Sequence, residues 1–152
     1  MSELPYRPNV CMLVYRGEKL LLAERARQPG TWQFPQGGAE EELSLEENVL
    51  KELNEELGAK KKLFRIEKKL DSTHCYDFRE PPKYAVGRWR GQSQTFWLVE
   101  FLGQDSDIQL DRYEQELMDF RWCTPSEVRE LAEPIRLPGY EAPLLEFEAF
   151  IS

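Results

Sequence analysis

The chain has 152 residues, 41% of them hydrophobic, which is enough to bury the core of one domain spanning residues 1–152. Its net charge of −8 argues against a broad surface for duplex nucleic acid, because such surfaces are usually basic. No apolar run approaches the roughly 18 residues of a membrane helix and no signal-peptide core opens the chain, so we expect a cytoplasmic protein without a membrane partner.

The first part of the chain predicts a β-hairpin. Residues 11–15 are apolar and β-branched, as is typical of a strand, and residues 16–19 have the composition of a turn. Residues 20–24 then continue as a second strand. The two strands are expected to pair.

A double glycine follows this hairpin. Residues 26–31 contain a Pro-Gly pair and predict a loop, after which residues 32–36 return briefly to extended structure. Gly37 and Gly38 come next, and glycine allows the backbone to approach a ligand closely. We therefore assign Gln36 and both glycines to a substrate-binding loop at the end of a strand.

The next segment predicts a helix over Leu45–Leu57. Ser44 and Glu47 form a capping box at its start, and Gly58 supplies the left-handed stop that helices favour. At about 100° per residue, the apolar side chains form one stripe. The members of this stripe are Leu45, Val49, Leu50, Leu53 and Leu57.

Three carboxylates lie beside that stripe. Glu52, Glu55 and Glu56 share one face, where like charges at i,i+4 destabilise an isolated helix by roughly 0.2–0.5 kcal/mol each. A hard cation such as Mg²⁺ would relieve the repulsion, since Mg²⁺ is held by one or two carboxylates together with substrate phosphates. A solvated helix face is the competing interpretation. The neighbouring glycines favour the metal site.

A basic and aromatic loop follows the helix. Residues 63–78 predict one or two strands, and residues 80–91 are rich in proline and glycine. This loop carries Arg88, Trp89 and Arg90, a combination that could hold a polyphosphate and a base. A solvated loop with one packed tryptophan is the alternative.

The second half of the chain predicts two further strands. Residues 94–102 are apolar on both faces, which is typical of a central strand. Residues 105–116 are acidic and irregular, and they predict a loop that leads into a strand at residues 118–123.

The last segment predicts two helices. Thr124 and Pro125 mark a helix start, and this helix should end before Pro134. Residues 138–139, Pro-Gly, should break the chain again, leaving a final short helix at residues 142–150. This order of elements predicts an α+β domain rather than a parallel doubly wound sheet.

The cysteines and the single histidine suggest no reactive centre. Cys11, Cys75 and Cys123 are odd in number and widely spaced, which fits neither a disulfide framework nor a zinc motif. We expect three buried, reduced thiols. His74 has no second histidine for a histidine-based mechanism, so we assign it a structural role.

Residues 37–59 resemble the signature of the Nudix hydrolases: Gly, five residues, Glu, seven residues, then Arg-Glu-hydrophobic-any-Glu-Glu-any-Gly-hydrophobic. Two positions differ, because Leu43 stands where the signature has its first glutamate and Lys51 where it has arginine. In the family those two side chains orient the metal-binding glutamates, and Glu42 could substitute for the first. The positions in register are Gly37, Glu52, Leu53, Glu55, Glu56, Gly58 and Ala59.

The resemblance implies a fold and a cofactor. Nudix hydrolases are α/β/α sandwiches around a mixed sheet, and they cleave pyrophosphate linkages with Mg²⁺ or Mn²⁺. The resemblance therefore implies metal ligands at Glu52, Glu55 and Glu56.

Segments outside the signature narrow the group. Residues 6–10, 32–38 and 91–94 are similar to bacterial RNA pyrophosphohydrolases and plant-type diadenosine polyphosphate hydrolases. That similarity implies phosphate contacts at Arg7 and Arg25.

The same group implies a fourth carboxylate. A glutamate six residues before the tryptophan that matches Trp122 adds a metal ligand or a base there, and in this chain it is Glu116. Either Glu56 or Glu116 is expected to be the general base.

The expected substrate is a dinucleoside polyphosphate or a 5′-triphosphorylated RNA end. Two other hypotheses stay open. One is a Nudix enzyme for a smaller nucleotide, such as an oxidised nucleoside triphosphate or a nucleotide sugar. The other is a nucleotide-binding module without full activity, suggested by Leu43 and Lys51.

Overall fold

One mixed β-sheet and three helices make up the protein. The structure is a computed structural model that describes residues 3–152. Single 3₁₀ turns precede the fifth strand and the last helix, and another lies in the loop before the seventh strand. The strands are β1 Tyr6–Arg16, β2 Lys19–Arg25, β3 Trp32–Gln33, β4 Gln36–Gly38, β5 Phe64–Asp77, β6 Gly91–Phe101 and β7 Leu117–Cys123, and the helices are α1 Leu45–Leu57, α2 Pro125–Leu131 and α3 Leu137–Ile151.

The helices cover both faces of the sheet. Val10, Met12 and Val14 of β1 point into one core with the apolar stripe of α1. The alternate residues Cys11 and Leu13 point into a second core with α2 and α3. Buried strand residues on both faces explain the continuous apolar runs of the sequence. The expected α/β/α sandwich around a mixed sheet is confirmed.

The centre of the sheet joins distant parts of the chain. β1 runs parallel to β6, with Tyr6 opposite Gly91 and Tyr15 opposite Glu100, and β5 pairs antiparallel with β6 on the other side. The expected hairpin of β1 and β2 is confirmed, with the two strands paired next to their turn. Residues 94–102 were expected to be central, and β6 occupies that place.

A short segment fills the space where β1 and β2 separate. β3 pairs with β2, with Gln33 opposite Ala23, and β4 then pairs with β1, with Gly37 opposite Val10. The backbone of Met12 donates a hydrogen bond to the carbonyl of Pro35 between them. The glycines therefore lie in a strand and not in the loop that the sequence predicted.

Helix α1 has the bounds that its caps predict. The Ser44 side chain accepts a hydrogen bond from the Glu47 backbone, and the Glu47 side chain accepts one from the Ser44 backbone. Gly58 ends the helix at φ 66°. The two ends fix which residues of the helix face the sheet and which face the site.

The last helix is longer than predicted. α3 begins at Leu137 and continues through residues 138–139, where a break was expected. Pro138 stands in the first helical turn, where its missing N–H needs no partner. Gly139 is buried, and a side chain there would overlap the ring of His74. Close packing, rather than chain reversal, is the reason for this glycine.

One expectation about the cysteines is wrong. Cys11 and Cys123 are buried as expected, but Cys75 is exposed. The reason is that Cys75 lies in the outer part of β5, an edge strand with alternating exposed residues.

Between residues 3 and 152 no helix has both the length and the apolar character needed to span a membrane.

Candidate active site

The strand β4 and the helix α1 meet at Glu56. This carboxylate is buried, with 3% of the residue exposed, and its Oε1 accepts a hydrogen bond from the backbone N–H of Gln36 at 2.9 Å. A buried glutamate needs such a partner because desolvation disfavours its charged form. The hydrogen bond fixes the carboxylate at the end of the glycine strand.

The two glycines make room for functional side chains. A Cβ on Gly37 would overlap the carboxylate of Glu52, and a Cβ on Gly38 would overlap the guanidinium of Arg7. Two of the expected site residues are thus held directly over β4. Both positions require glycine because the side chains of Glu52 and Arg7 pack directly against the backbone there.

Lys51 orients a second glutamate. Its Nζ lies 2.7 Å from Oε1 of Glu55 and 3.5 Å from Oε1 of Glu40. The lysine therefore pairs with Glu40, whereas Glu42 was the expected substitute for the glutamate missing at Leu43. Asn48 holds Glu40 in place by accepting a hydrogen bond from its backbone N–H at 2.8 Å.

The remaining carboxylates repel one another. Burial, and then the neighbouring charge of Glu55, raise the pKa of Glu52 to about 7. Burial, followed by the charges of Glu116 and Glu52, raises the pKa of Glu56 well above its ordinary value. Negative charge in this region is therefore only partly compensated by the protein itself.

This repulsion predicts an unusual dependence of stability on pH. Because the pKa of Glu52 is raised from 4.5 to about 7, the folded protein keeps a proton that the unfolded chain releases. The free energy of unfolding should therefore fall as pH rises through this window. For protein in EDTA we expect a loss on the order of 2 kcal/mol between pH 5 and pH 8, measured by urea denaturation. Glu52→Gln should reduce the loss, and an equal loss in that variant would contradict the assignment.

The donor set fits a divalent cation by its chemistry. Hard cations prefer carboxylate oxygens. The negative charge of Glu116 contributes to the raised pKa values of both Glu52 and Glu56, so the three carboxylates lie close enough to interact. Within the described residues no three acidic, imidazole or thiol groups already converge on one ion position. A bound cation would offset the repulsion that contributes to the raised pKa values of Glu52 and Glu56.

One cavity brings distant residues of the expected site together. Arg25, at the end of β2, lines it with Gln36, Glu56 and Glu116. The backbone N–H of Ala26 donates a hydrogen bond to the carbonyl of Glu116 at 2.9 Å, which joins the two segments. An arginine and carboxylates in one cavity can bind a phosphate and a cation side by side.

A second cleft lies next to the glycine strand. Its wall contains Arg7, Tyr84, Arg88 and Trp89. The Arg7 guanidinium carbon lies 4.7 Å from the centroid of the Tyr84 ring, and that of Arg88 lies 5.1 Å from the Trp89 ring. Flat cations and aromatic rings together suit a phosphate and a nucleobase.

Arg90 has a structural role. It makes an ion pair with Asp77 at 2.9 Å and lies over the ring of Tyr6. It lines neither the cavity nor the cleft described above. Its assignment to substrate binding stays a prediction, while these contacts explain its position in the fold.

Sequence reasoning missed several residues of these sites. Arg27 and Gln33 line the cavity, and Tyr84 lines the cleft. Arg27 lies in the turn after β2, where the alternation of a strand no longer applies, so the sequence offered no reliable signal for it. Gln33 and Tyr84 carry no local signal, because their positions depend on strand pairing and on the path of a loop.

The close approach of Gly37 to Glu52 can be tested with a small substitution. Gly37→Ala should lower kcat roughly 100-fold, because the new methyl group displaces the Glu52 carboxylate. The free energy of unfolding should change little, since only a flexible side chain must move. Gly17→Ala is the control, because Gly17 has φ 63° in open space. It should lose about 1 kcal/mol of stability and no activity. Normal kcat in Gly37→Ala would contradict this role.

Known proteins match this chain over nearly its whole length. The NUDIX domain family matches residues 5–142. The RNA pyrophosphohydrolase of Novosphingobium aromaticivorans is 34% identical, with 99% of this chain and 97% of that protein covered. Nudix hydrolase 25 of Arabidopsis thaliana is 30% identical, with 100% and 93% covered. The crystal structure of C. elegans Ap4A hydrolase superposes with a TM-score of 0.67 at 21% identity, over 97% of this chain and 99% of that chain, which is a likeness of fold.

Proposed function

Because the chain belongs to the Nudix hydrolase family, whose members cleave pyrophosphate bonds, we propose that it removes pyrophosphate from the 5′-triphosphate end of RNA in a Mg²⁺-dependent reaction. The observation that carries the proposal is the cavity shared by Arg25, Glu56 and Glu116, next to the cleft of Arg7 and Tyr84. The first can hold phosphates and a cation, and the second can hold a base. The similarity to an RNA pyrophosphohydrolase supports this substrate.

Different residues of the chain would bind the substrate and accept the proton. Arg7 and Arg25 would pair with phosphate oxygens, and Tyr84 and Trp89 would stack on a nucleobase. Either Glu56 or Glu116 would accept the proton of the attacking water. Mg²⁺, held by Glu52, Glu55, Glu56 and Glu116, would supply neutralisation of the phosphoryl oxygens and a lowered pKa for bound water.

A cytoplasmic location is part of the same proposal. Cys11, Cys75 and Cys123 are free thiols, and one of them is exposed. Reduced cysteines are usual in the cytosol, where disulfides are rare. The chemistry of the cysteines therefore supports an intracellular substrate.

A dinucleoside polyphosphate is the second candidate. The cleft is lined by Glu40, Glu41 and Glu42 in addition to its arginines. These carboxylates, together with the net charge of −8, would repel the downstream phosphates of a long RNA. A short, capped polyphosphate would avoid that repulsion.

Product analysis in Mg²⁺ separates the candidates. A short 5′-triphosphate RNA and diadenosine tetraphosphate are supplied in parallel, and the release of pyrophosphate or of ATP and AMP is measured. Faster conversion of the RNA to its monophosphate form supports the proposal. Preference for the dinucleotide would replace it with the second candidate.

Two further outcomes would change the assignment. Turnover of a smaller nucleotide alone would move the substrate class, and nucleotide binding without turnover in Mg²⁺ or Mn²⁺ would indicate a binding module. If the protein only binds nucleotide, the first mutations to make would be Leu43→Glu and Lys51→Arg, which restore the glutamate and the arginine of the signature.

A further inference from the structure

Four amide side chains form one hydrogen-bonded network beside the glycine strand, with Asn9 at its centre. Asn9 is 2% exposed and lies on β1, where its backbone is opposite Gly38 of β4 and Gln94 of β6. Its Nδ2 donates hydrogen bonds to Oε1 of Gln36 at 2.9 Å and to Oε1 of Gln92 at 2.8 Å. Its Oδ1 accepts a hydrogen bond from Nε2 of Gln94 at 3.1 Å. Both hydrogens and the oxygen of the Asn9 amide are therefore occupied.

This network favours one orientation of the Asn9 amide. If the amide were turned over, its oxygen would face Gln36 and Gln92, and its two N–H groups would share Gln94 as their one neighbour. A buried N–H would then lack an acceptor, which costs free energy. Asn9 therefore directs its two N–H groups toward Gln36 and Gln92. In consequence the Gln36 amide turns its oxygen toward Asn9.

The nitrogen of the Gln36 amide is left for a ligand. In residues 3–152 the one fully buried side-chain nitrogen or oxygen without a partner is Oε1 of Gln33, so Nε2 of Gln36, which makes no hydrogen bond, is accessible. Gln36 lines the cavity that contains Arg25, Glu56 and Glu116. Its backbone N–H already holds Glu56 at 2.9 Å. A hydrogen-bond donor without a partner is therefore available at the wall of this cavity.

The chemistry of this NH₂ group limits what it can bind. An amide nitrogen donates hydrogen bonds and does not accept them, so its ligand must offer an acceptor. Hydrogen bonds to ionised acceptors are the strong ones, and phosphate oxygens are ionised. Arg25, in the same cavity, has the same preference. A phosphate chain is thus the ligand that both side chains suit.

We infer that Asn9 is a positioning residue, which holds the Gln36 amide with its NH₂ group toward a phosphate oxygen of the substrate. The inference rests on the proposed function, because the ligand is the phosphate chain of that substrate. Asn9 is buried and does not itself line the cavity. Its effect is to keep the oxygen of Gln36 away from the phosphates, whose negative charge that oxygen would repel.

The test is Asn9→Asp, which replaces the two N–H groups with an acceptor of the same shape. Gln36 and Gln92 then turn their NH₂ groups toward the new carboxylate, and Gln94 keeps its hydrogen bond. The oxygen of Gln36 consequently faces the cavity. Calorimetry measures the Kd of methylenebisphosphonate in Mg²⁺, a probe whose P–C–P linkage is not hydrolysed. We expect Asn9→Asp to raise this Kd roughly 10- to 100-fold.

Gln92→Glu is the matched control. It adds the same charge to the same network, but its carboxylate accepts the Asn9 N–H as the Gln92 oxygen does. The orientation of Asn9 and Gln36 is therefore kept. The Kd should rise less than about threefold, from the added charge alone. An equal rise in Gln92→Glu and Asn9→Asp would overturn the inference.

Gln36→Met separates positioning from a general structural effect. It removes the donor and should raise the Kd about 10-fold. Adding Asn9→Asp to Gln36→Met should raise it less than about threefold further, because Asn9 acts through Gln36. An unchanged Kd in Asn9→Asp, or its full effect in the double variant, overturns the role of Asn9.

The wild type gives a measurement that does not depend on the folding of Asn9→Asp. The side-chain NH₂ resonance that is missing in Gln36→Met is followed by NMR and should shift when methylenebisphosphonate binds. A resonance that does not move overturns the inference, as does wild-type protein that does not bind the probe. Wild-type protein that shows the shift but cleaves no pyrophosphate substrate supports the inference and overturns the proposed function.

Discussion

Glu56→Gln is expected to lower kcat roughly 1,000-fold with the fold intact. Glutamine keeps an oxygen in place to accept the 2.9 Å hydrogen bond from Gln36, so the geometry at the end of α1 is preserved. What is lost is the negative charge that would bind a cation and accept a proton. Single-turnover kinetics in Mg²⁺ measure the chemical step directly.

The same substitution should stabilise the protein in EDTA. Burial and the charges of Glu116 and Glu52 raise the pKa of Glu56, so ionisation of this group is unfavourable in the folded state at neutral pH. Glu46→Gln, an exposed change in the first turn of α1, is the control and should leave kcat unchanged. A Glu56→Gln variant with near-normal kcat would contradict any chemical role for this carboxylate.

Gly58→Ala is expected to destabilise the fold by roughly 3 kcal/mol. The glycine ends α1 at φ 66°, a conformation that costs a residue with a Cβ about 1–3 kcal/mol. A Cβ there would also overlap the backbone carbonyl of Gln109, which cannot move aside as a flexible side chain can. Urea denaturation compares the free energies of unfolding.

Gly17→Ala separates the two contributions. Gly17 has a similar φ of 63°, but nothing lies within 4 Å of its added methyl group. That variant should show the conformational cost alone, about 1 kcal/mol. Equal losses in the two variants would show that the contact with Gln109 contributes nothing.

The part of the site that could be predicted is the part encoded locally. Ser44 and Gly58 delimit α1 because capping involves residues within one turn of each end. Glu52 and Glu56 then share a face by helical geometry alone. The resemblance of residues 37–59 to a known signature rests on the same local spacing.

Features that depend on long-range pairing were not predictable. Gln33 reaches the cavity because β3 pairs with β2, and nothing in the neighbouring sequence marks that register. The partner of Lys51 is Glu40 rather than Glu42, because Asn48 fixes the loop at Glu40. The extension of α3 across residues 138–139 follows from packing against His74, a contact between segments more than sixty residues apart.

The parallel pairing of β1 with β6 has a consequence for synthesis. On one side, residues 6–15 pair with residues 91–100, so about two thirds of the chain must leave the ribosome before the centre of the sheet can form. Contacts of such long sequence separation slow folding. Until then that edge of the apolar strand at residues 10–15 stays unpaired and exposed to other chains. The nascent protein should therefore depend most on protection from aggregation before residue 100 has emerged.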